Sequence, residues 1–124
     1  MRAIKFRAWH EREQKMYPVA GTLLDTVMLS TGEDSLTGYS VDQVELMQFT
    51  GLKTRSGQEV YESDILKTSA GRLLLVLWHE AAFCWDVPGL NSEGAQISFS
   101  MLEHYSFEVI GNIYENPELL PAKE

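Results

Sequence analysis

His79 and Cys84 are the two side chains in this sequence best suited to covalent chemistry, since an imidazole beside a thiol can take its proton and leave a nucleophilic thiolate. If the flanking segments R72-L-L-L-V-L-W78 and F83-C-W-D-V87 pair as strands across an even-numbered loop, His79 falls opposite Cys84. Asp86 shares a face with Cys84 and would orient the ring. The neighbours Trp78, Phe83 and Trp85 point the other way: a thiol packed among such rings is hard to ionise and inert. The favoured reading is a core cysteine beside a surface histidine.

Metal ligation fares no better. His10-Glu11, His79-Glu80 and Glu103-His104 are adjacent pairs, and neighbours on a strand point to opposite faces. None has the i, i+4 spacing of a helical zinc motif. A single cysteine excludes an internal disulfide and a multi-thiolate zinc site, and it suits a reducing compartment. The segment GQEVYESD has neither the lysine nor the following helix of a phosphate-cradling loop. Acidic residues are many, but no spacing selects an acid and a base. No catalytic, metal or cofactor-binding residue is assigned, no cofactor is expected, and the chain does not read as an enzyme.

Charge is distributed unevenly. Residues 1–17 carry five basic and two acidic side chains, a net of +3, while the rest carries −11 of the total −8. No Lys or Arg occurs between Pro18 and Leu52, and none between Leu73 and Ala122. A nucleic-acid binder needs a basic face to displace counterions. Here it would have to be assembled from Arg2, Lys5, Arg7 and an exposed Trp9, joined in space by Lys53 and Arg55. Lys5, Arg7, Trp9, Lys53 and Arg55 are accordingly the candidate interaction surface, with nucleic acid the less favoured ligand. The acidic remainder suits a solvated surface, a basic protein partner, or opposite-signed ends of two copies in contact.

The elements that must hold these residues read as short strands. I4-K-F-R-A-W9 alternates, with Lys5 and Arg7 on the outer face of a half-buried strand. K15-M-Y-P-V19 is its returning partner, an edge strand by virtue of Pro18. GTLLDTVML reads as one strand and STGEDSLTGYS as loop. Ser40 followed by Gln43 has the spacing of a capping box, which would start a helix through VDQVELMQF to a stop at Gly51. Val41, Val44 and Phe49 are weak helix formers, and a strand over 44–49, after a single helical turn, is preferred. R55-S-G-Q58 and E62-S-D64 are turns, the latter leading into a short strand at Ile65-Leu66. Residues 72–78, apolar on both faces, predict a central covered strand. Pro88 to Gly94 reads as a loop, and Ser100 with Glu103 permits a short helix. F107-E-V-I-G-N-I-Y114 predicts a strand with a glycine bulge, and Asn116-Pro117 starts a last helical turn. No apolar run is long enough to span a bilayer, and the N-terminus lacks the apolar centre of a signal peptide.

Four stretches in this order give the sequence a lineage: R2-A-I-K-F-R-A-W-H10, L46-M-Q-F-T-G-L-K53, S56-G-Q-E-V-Y-E-S-D-I-L66 and E108-V-I-G-N-I-Y-E-N-P-E-L-L120. Together they resemble the YopX family of phage and prophage proteins across essentially the whole chain. His10 departs from the acidic residue usual in the family. Ser63 departs from the usual glycine, which puts a positive-φ turn before Asp64 in question. The resemblance implies an all-β fold with a small SH3-like barrel in the C-terminal part and a few short helical turns. It also implies a phage context, and it supplies no catalytic residues to transfer.

The expectation is thus a single domain, 1–124, with an N-terminal β-hairpin and loop extension over 1–43 and the barrel part over 44–124. Its function would be that of an accessory protein in the bacterial cytoplasm, acting through an unidentified host or phage protein, with homo-oligomerisation open and no membrane association.

Overall fold

A computed structural model describes residues 4–69, 71–79, 84–87, 97–98 and 106–120. The chain divides into two compact units, Met1–Phe49 and Thr50–Glu124.

The first unit is an antiparallel sheet built from β1 (Phe6–His10), β2 (Lys15–Leu23), β3 (Thr26–Gly32), β4 (Ser35–Ser40) and the first part of β5 (Val44–Lys53). Its order is β4-β3-β2-β1-β5. β1 therefore lies inside the sheet, between β2 and β5. Ala8, Trp9 and His10 are consecutive and all buried, so this end of β1 is covered on both faces rather than half-buried as its alternation suggests. Ala8 packs with Val27, Leu29 and Val44, and Tyr17, Val19, Tyr39 and Leu46 pack against that cluster. Trp9, Met47 and Phe49 are buried on the opposite face, where the register sets Arg7 beside Met47.

The edge expected at Pro18 is half right. β2 pairs with β1 through residues 15–18 and with β3 from Val19 onward, so Pro18 sits where the strand passes from one neighbour to the other. A bulge at Ala20 follows at once. The missing N–H is thereby kept out of a two-sided ladder.

Residues 20–40 correct the sequence reading more thoroughly. What reads as one strand and a loop is two hairpins, turning at Leu24-Asp25 and at Glu33-Asp34. β4, S-L-T-G-Y-S, is too polar to announce itself, because an edge strand of one hairpin buries little. Its Val27–Tyr39 and Leu29–Thr37 register nonetheless carries Tyr39 to the core face. The ambiguity after Ser40 resolves into both alternatives in succession. Ser40 and Gln43 form the capping box on a single 3-10 turn, Val41–Gln43, and β5 follows without a break.

The second unit contains the end of β5 beside β6 (Glu59–Tyr61), then β7 (Asp64–Thr68), β8 (Leu73–Leu75), β9 (Leu77–His79), β10 (Cys84–Val87), β11 (Ile97–Ser98) and β12 (Phe107–Asn112). β7 lies between β12 and β8, and β10 between β11 and β9. The protein is all-β and its sheets are antiparallel; among the described residues the strands close no barrel. Val60, Leu66, Leu74 and Val76 are fully buried together, with Leu52, Phe107 and Val109 against them. Each such side chain is worth about 1.5–3 kcal/mol of burial.

The run 72–78 is not one central strand. It breaks at Val76, whose N–H donates to the Asp64 carbonyl and whose carbonyl accepts from Ser63, and Leu77 and Trp78 beyond it are exposed. Two short edge strands share the apolar run, and β7 takes the centre. In β12 the predicted bulge is present, with Ile110 unpaired between Val109 and Gly111. A 3-10 turn at Pro117–Leu119 ends the described chain. The loop expected at 88–94 and the helix expected near residue 103 lie outside the described residues.

Candidate functional site

Polar side chains concentrate where the β1–β2 hairpin meets β4. His10 Nδ1 accepts a hydrogen bond from the backbone N–H of Glu13 at 3.0 Å. An N–H can only donate, so neutral His10 carries its proton on Nε2. That atom is buried and lies 3.6 Å from Glu13 Oε2, too far for a hydrogen bond. The imidazole meets the Tyr39 ring edge-on, with centroids 4.5 Å apart. Glu13 in turn accepts Tyr17 Oη–H at 2.7 Å and Tyr39 Oη–H at 2.9 Å. These two hydroxyls, Tyr17 first, hold the Glu13 carboxyl below its usual range. Reciprocally, the Glu13 carboxylate pushes Tyr17 up to about 12 and raises Tyr39.

The chemistry available here is limited. Both tyrosines are locked as donors to a carboxylate that is 37% exposed, which makes them poor proton-transfer groups and good clamps. The cluster ties the β1–β2 turn to β4 and fixes the edge of the sheet. It also accounts for His10: the ring nitrogen supplies the acceptor that an acidic side chain would offer to Glu13 N–H. The grouping is not legible in the sequence, because its members are as far apart as His10 and Tyr39 and the composition of β4 reads as loop.

The residues proposed from sequence are distributed as follows. Lys5 is exposed, with Nζ 5.5 Å from the Phe49 ring centroid. Arg7 is half-buried on the same face of β1. Trp9 is only 5% exposed, so the ring expected at the surface for stacking is core. It shares its buried face with Met47 and Phe49. Lys53 and Arg55 are exposed and belong to the second unit. Cys84 and His79 are register partners across β10 and β9, as the even-numbered loop required. Among the described residues no group of three or more His, Cys, Asp or Glu side chains could hold a metal.

The motif segments of the second unit are used for shape. Asp64, fully buried, accepts from Tyr61 N–H at 2.7 Å and closes the turn through Ser63. Ser63 itself has φ +74, so the positive-φ turn survives without glycine, held by hydrogen bonds from its N–H to Val76 and from Ile113 N–H to its carbonyl. Thr54 pairs with Gln58 around Gly57, whose φ of +93 suits glycine. Asn112 Oδ1 accepts from Tyr114 and Glu115 N–H, while Asn116 turns its side chain back to Asn112 N–H instead of capping the turn it precedes. An open recess of about 230 Å³ lies between Lys67-Thr68-Ser69 and Ser106-Phe107-Glu108.

These geometries accompany a clear lineage. No curated protein matches the chain. Among solved structures it is similar to protein EF1440 from Enterococcus faecalis, at 26% identity and a TM-score of 0.68, over 98% of this chain and 100% of that one. The family model described as YopX protein matches residues 5–121, nearly the full length, and the chain belongs to the YopX family.

Proposed function

We propose that this protein is a phage or prophage accessory factor that works in the host cytoplasm by protein–protein contact, without catalysis. The observation that carries this reading is the outer surface of the first unit. Leu23 and Leu24 at the β2–β3 turn are 73% and 97% exposed, in a stretch, 18–52, that holds five acidic residues and no Lys or Arg. Leu24 moreover has φ +55, a conformation that disfavours leucine. A large apolar side chain held in an awkward backbone with nothing to cover it fits a contact residue better than a structural one. An SH3-like course of the chain through 44–124 belongs to the same proposal and rests on the short strands and the bulge in β12.

The test is capture of binding proteins from lysate of a bacterial host, at low and moderate salt, with wild type and with Leu23→Ser/Leu24→Ser. Retention of a protein by wild type and its loss in the double variant supports the reading. Retention of nucleic acid alone, falling as salt rises, overturns it.

A further inference from the structure

We infer that the free edge of β4 is a strand-addition site for an extended, basic segment of a partner protein; this rests on the protein-contact reading above and names its surface. Among the described residues β4 pairs with β3 only, and it ends the sheet order of the first unit. Natural edges are commonly blunted by Lys, Pro or an inward charge. The six residues Ser35–Ser40 contain none of these. Alternate residues of an antiparallel strand turn their N–H and C=O away from the partner, so about half of β4 faces outward along its edge. Of these outward groups Ser40 N–H is taken by Gln43 Oε1, the side chains of the strand are short or uncharged, and Leu36 is 60% exposed. Such an edge offers a row of backbone donors and acceptors that an incoming strand can satisfy, with alternate side chains giving selectivity.

Charge selects the occupant. At one end of β4 stands the Glu33-Asp34 turn and at the other Asp42. A second copy pairing antiparallel over all six residues, about a two-fold axis between Thr37 and Gly38, would set the Glu33-Asp34 turn of one copy beside Asp42 of the other. Like charges facing across strands oppose pairing, and each copy brings a net −8. An extended segment with an uncharged middle and Lys or Arg at both ends meets opposite charge at each end. Tyr39, pinned by Glu13 and edge-on to His10, keeps the strand in place to receive it.

The probes are two ten-residue peptides with the same Thr-Val-Thr-Val-Thr-Val middle, one with two lysines at each end and one with two glutamates. Binding is read by fluorescence anisotropy and by hydrogen exchange of amides 35–40, on the full chain. The lysine peptide is expected to bind about tenfold or more tighter than the glutamate peptide, at low salt, and to protect β4 amides. Leu36→Lys is expected to weaken it about tenfold, and Glu33→Lys/Asp42→Lys to reverse the preference, with circular dichroism confirming that each variant folds. Equal binding of both peptides, or binding without β4 protection, overturns the proposal. So does protection of β4 by dimerisation of the chain alone. Lysate capture that depends on Leu24 but not on Leu36, without β4 protection, would leave the protein-contact reading standing and remove this one.

Discussion

Gly111→Ala destabilises this protein for a reason that lies five residues away. Gly111 follows the bulged Ile110, and a Cβ built on it runs into the side-chain amide of Asn116, with Asn116 Cβ at 3.0 Å. The Asn116 side chain would have to swing out and abandon its hydrogen bond to Asn112 N–H, 3.2 Å long. That bond is worth about 1 kcal/mol, and stranding a donor on a residue as buried as Asn112 costs about 1–3 kcal/mol. Removing glycine from the unfolded ensemble returns about 0.4–1 kcal/mol. The net expectation is a loss of about 1–3.5 kcal/mol, or roughly 3–15 °C in Tm for a chain of this size. Urea unfolding of four proteins tests it: wild type, Gly111→Ala, Asn116→Gly and the double variant. If Asn116 is the obstacle, Gly111→Ala becomes neutral or slightly stabilising once Asn116 is glycine. An equal loss in both backgrounds, or no loss in the wild-type background, would refute the reasoning.

Ser63→Gly should stabilise the fold by about 0.5–1 kcal/mol in urea titration, because φ +74 costs serine more than glycine loses in chain entropy. Glu13→Gln should return Tyr17 from about 12 toward the ordinary 10.0, seen in the ultraviolet absorbance of tyrosinate. Because that pKa is raised on folding, its contribution to stability is complete below pH 10 and fades as pH rises toward about 12; the lowered Glu13 carboxyl contributes above 4.5 and fades as pH falls through its folded value. Thermal melts across pH should therefore show Glu13→Gln losing both dependences. Leu24→Asn should raise stability by about 0.5 kcal/mol, since asparagine tolerates φ +55, yet weaken capture of a partner; a variant that gains stability and keeps full capture would remove Leu24 from the contact.

The all-β class was legible because short apolar runs recur between turn residues, and Gly57, Gly111 and the Ser40/Gln43 box each mark a real turn or bulge. The order of strands was not. Alternation in residues 4–9 reports one polar face, but Trp9 on that face is buried together with Met47 and Phe49 of β5, a strand that the alternation of β1 says nothing about. The apolar run 72–78 looks central, yet the backbone of Val76 is consumed by Ser63 and Asp64 and splits it. The Glu13–Tyr17–Tyr39 clamp left no signal, since tyrosine and glutamate at such separations carry no spacing rule and the hairpin that brings Tyr39 in was hidden by serine, threonine and glycine. Candidate interaction residues fared according to depth: Lys5, Lys53 and Arg55 are exposed and Arg7 is half so.

Site-specific photo-cross-linking in a bacterial host tests the central claim most directly. A photoreactive amino acid is placed in turn at Leu24, at Leu36 and, in the second unit, at the exposed position Glu118. Discrete protein adducts from Leu24 and Leu36, absent from Glu118, are the result this account predicts. Adducts from Glu118 alone, or none from the first unit at full expression of folded protein, would contradict it.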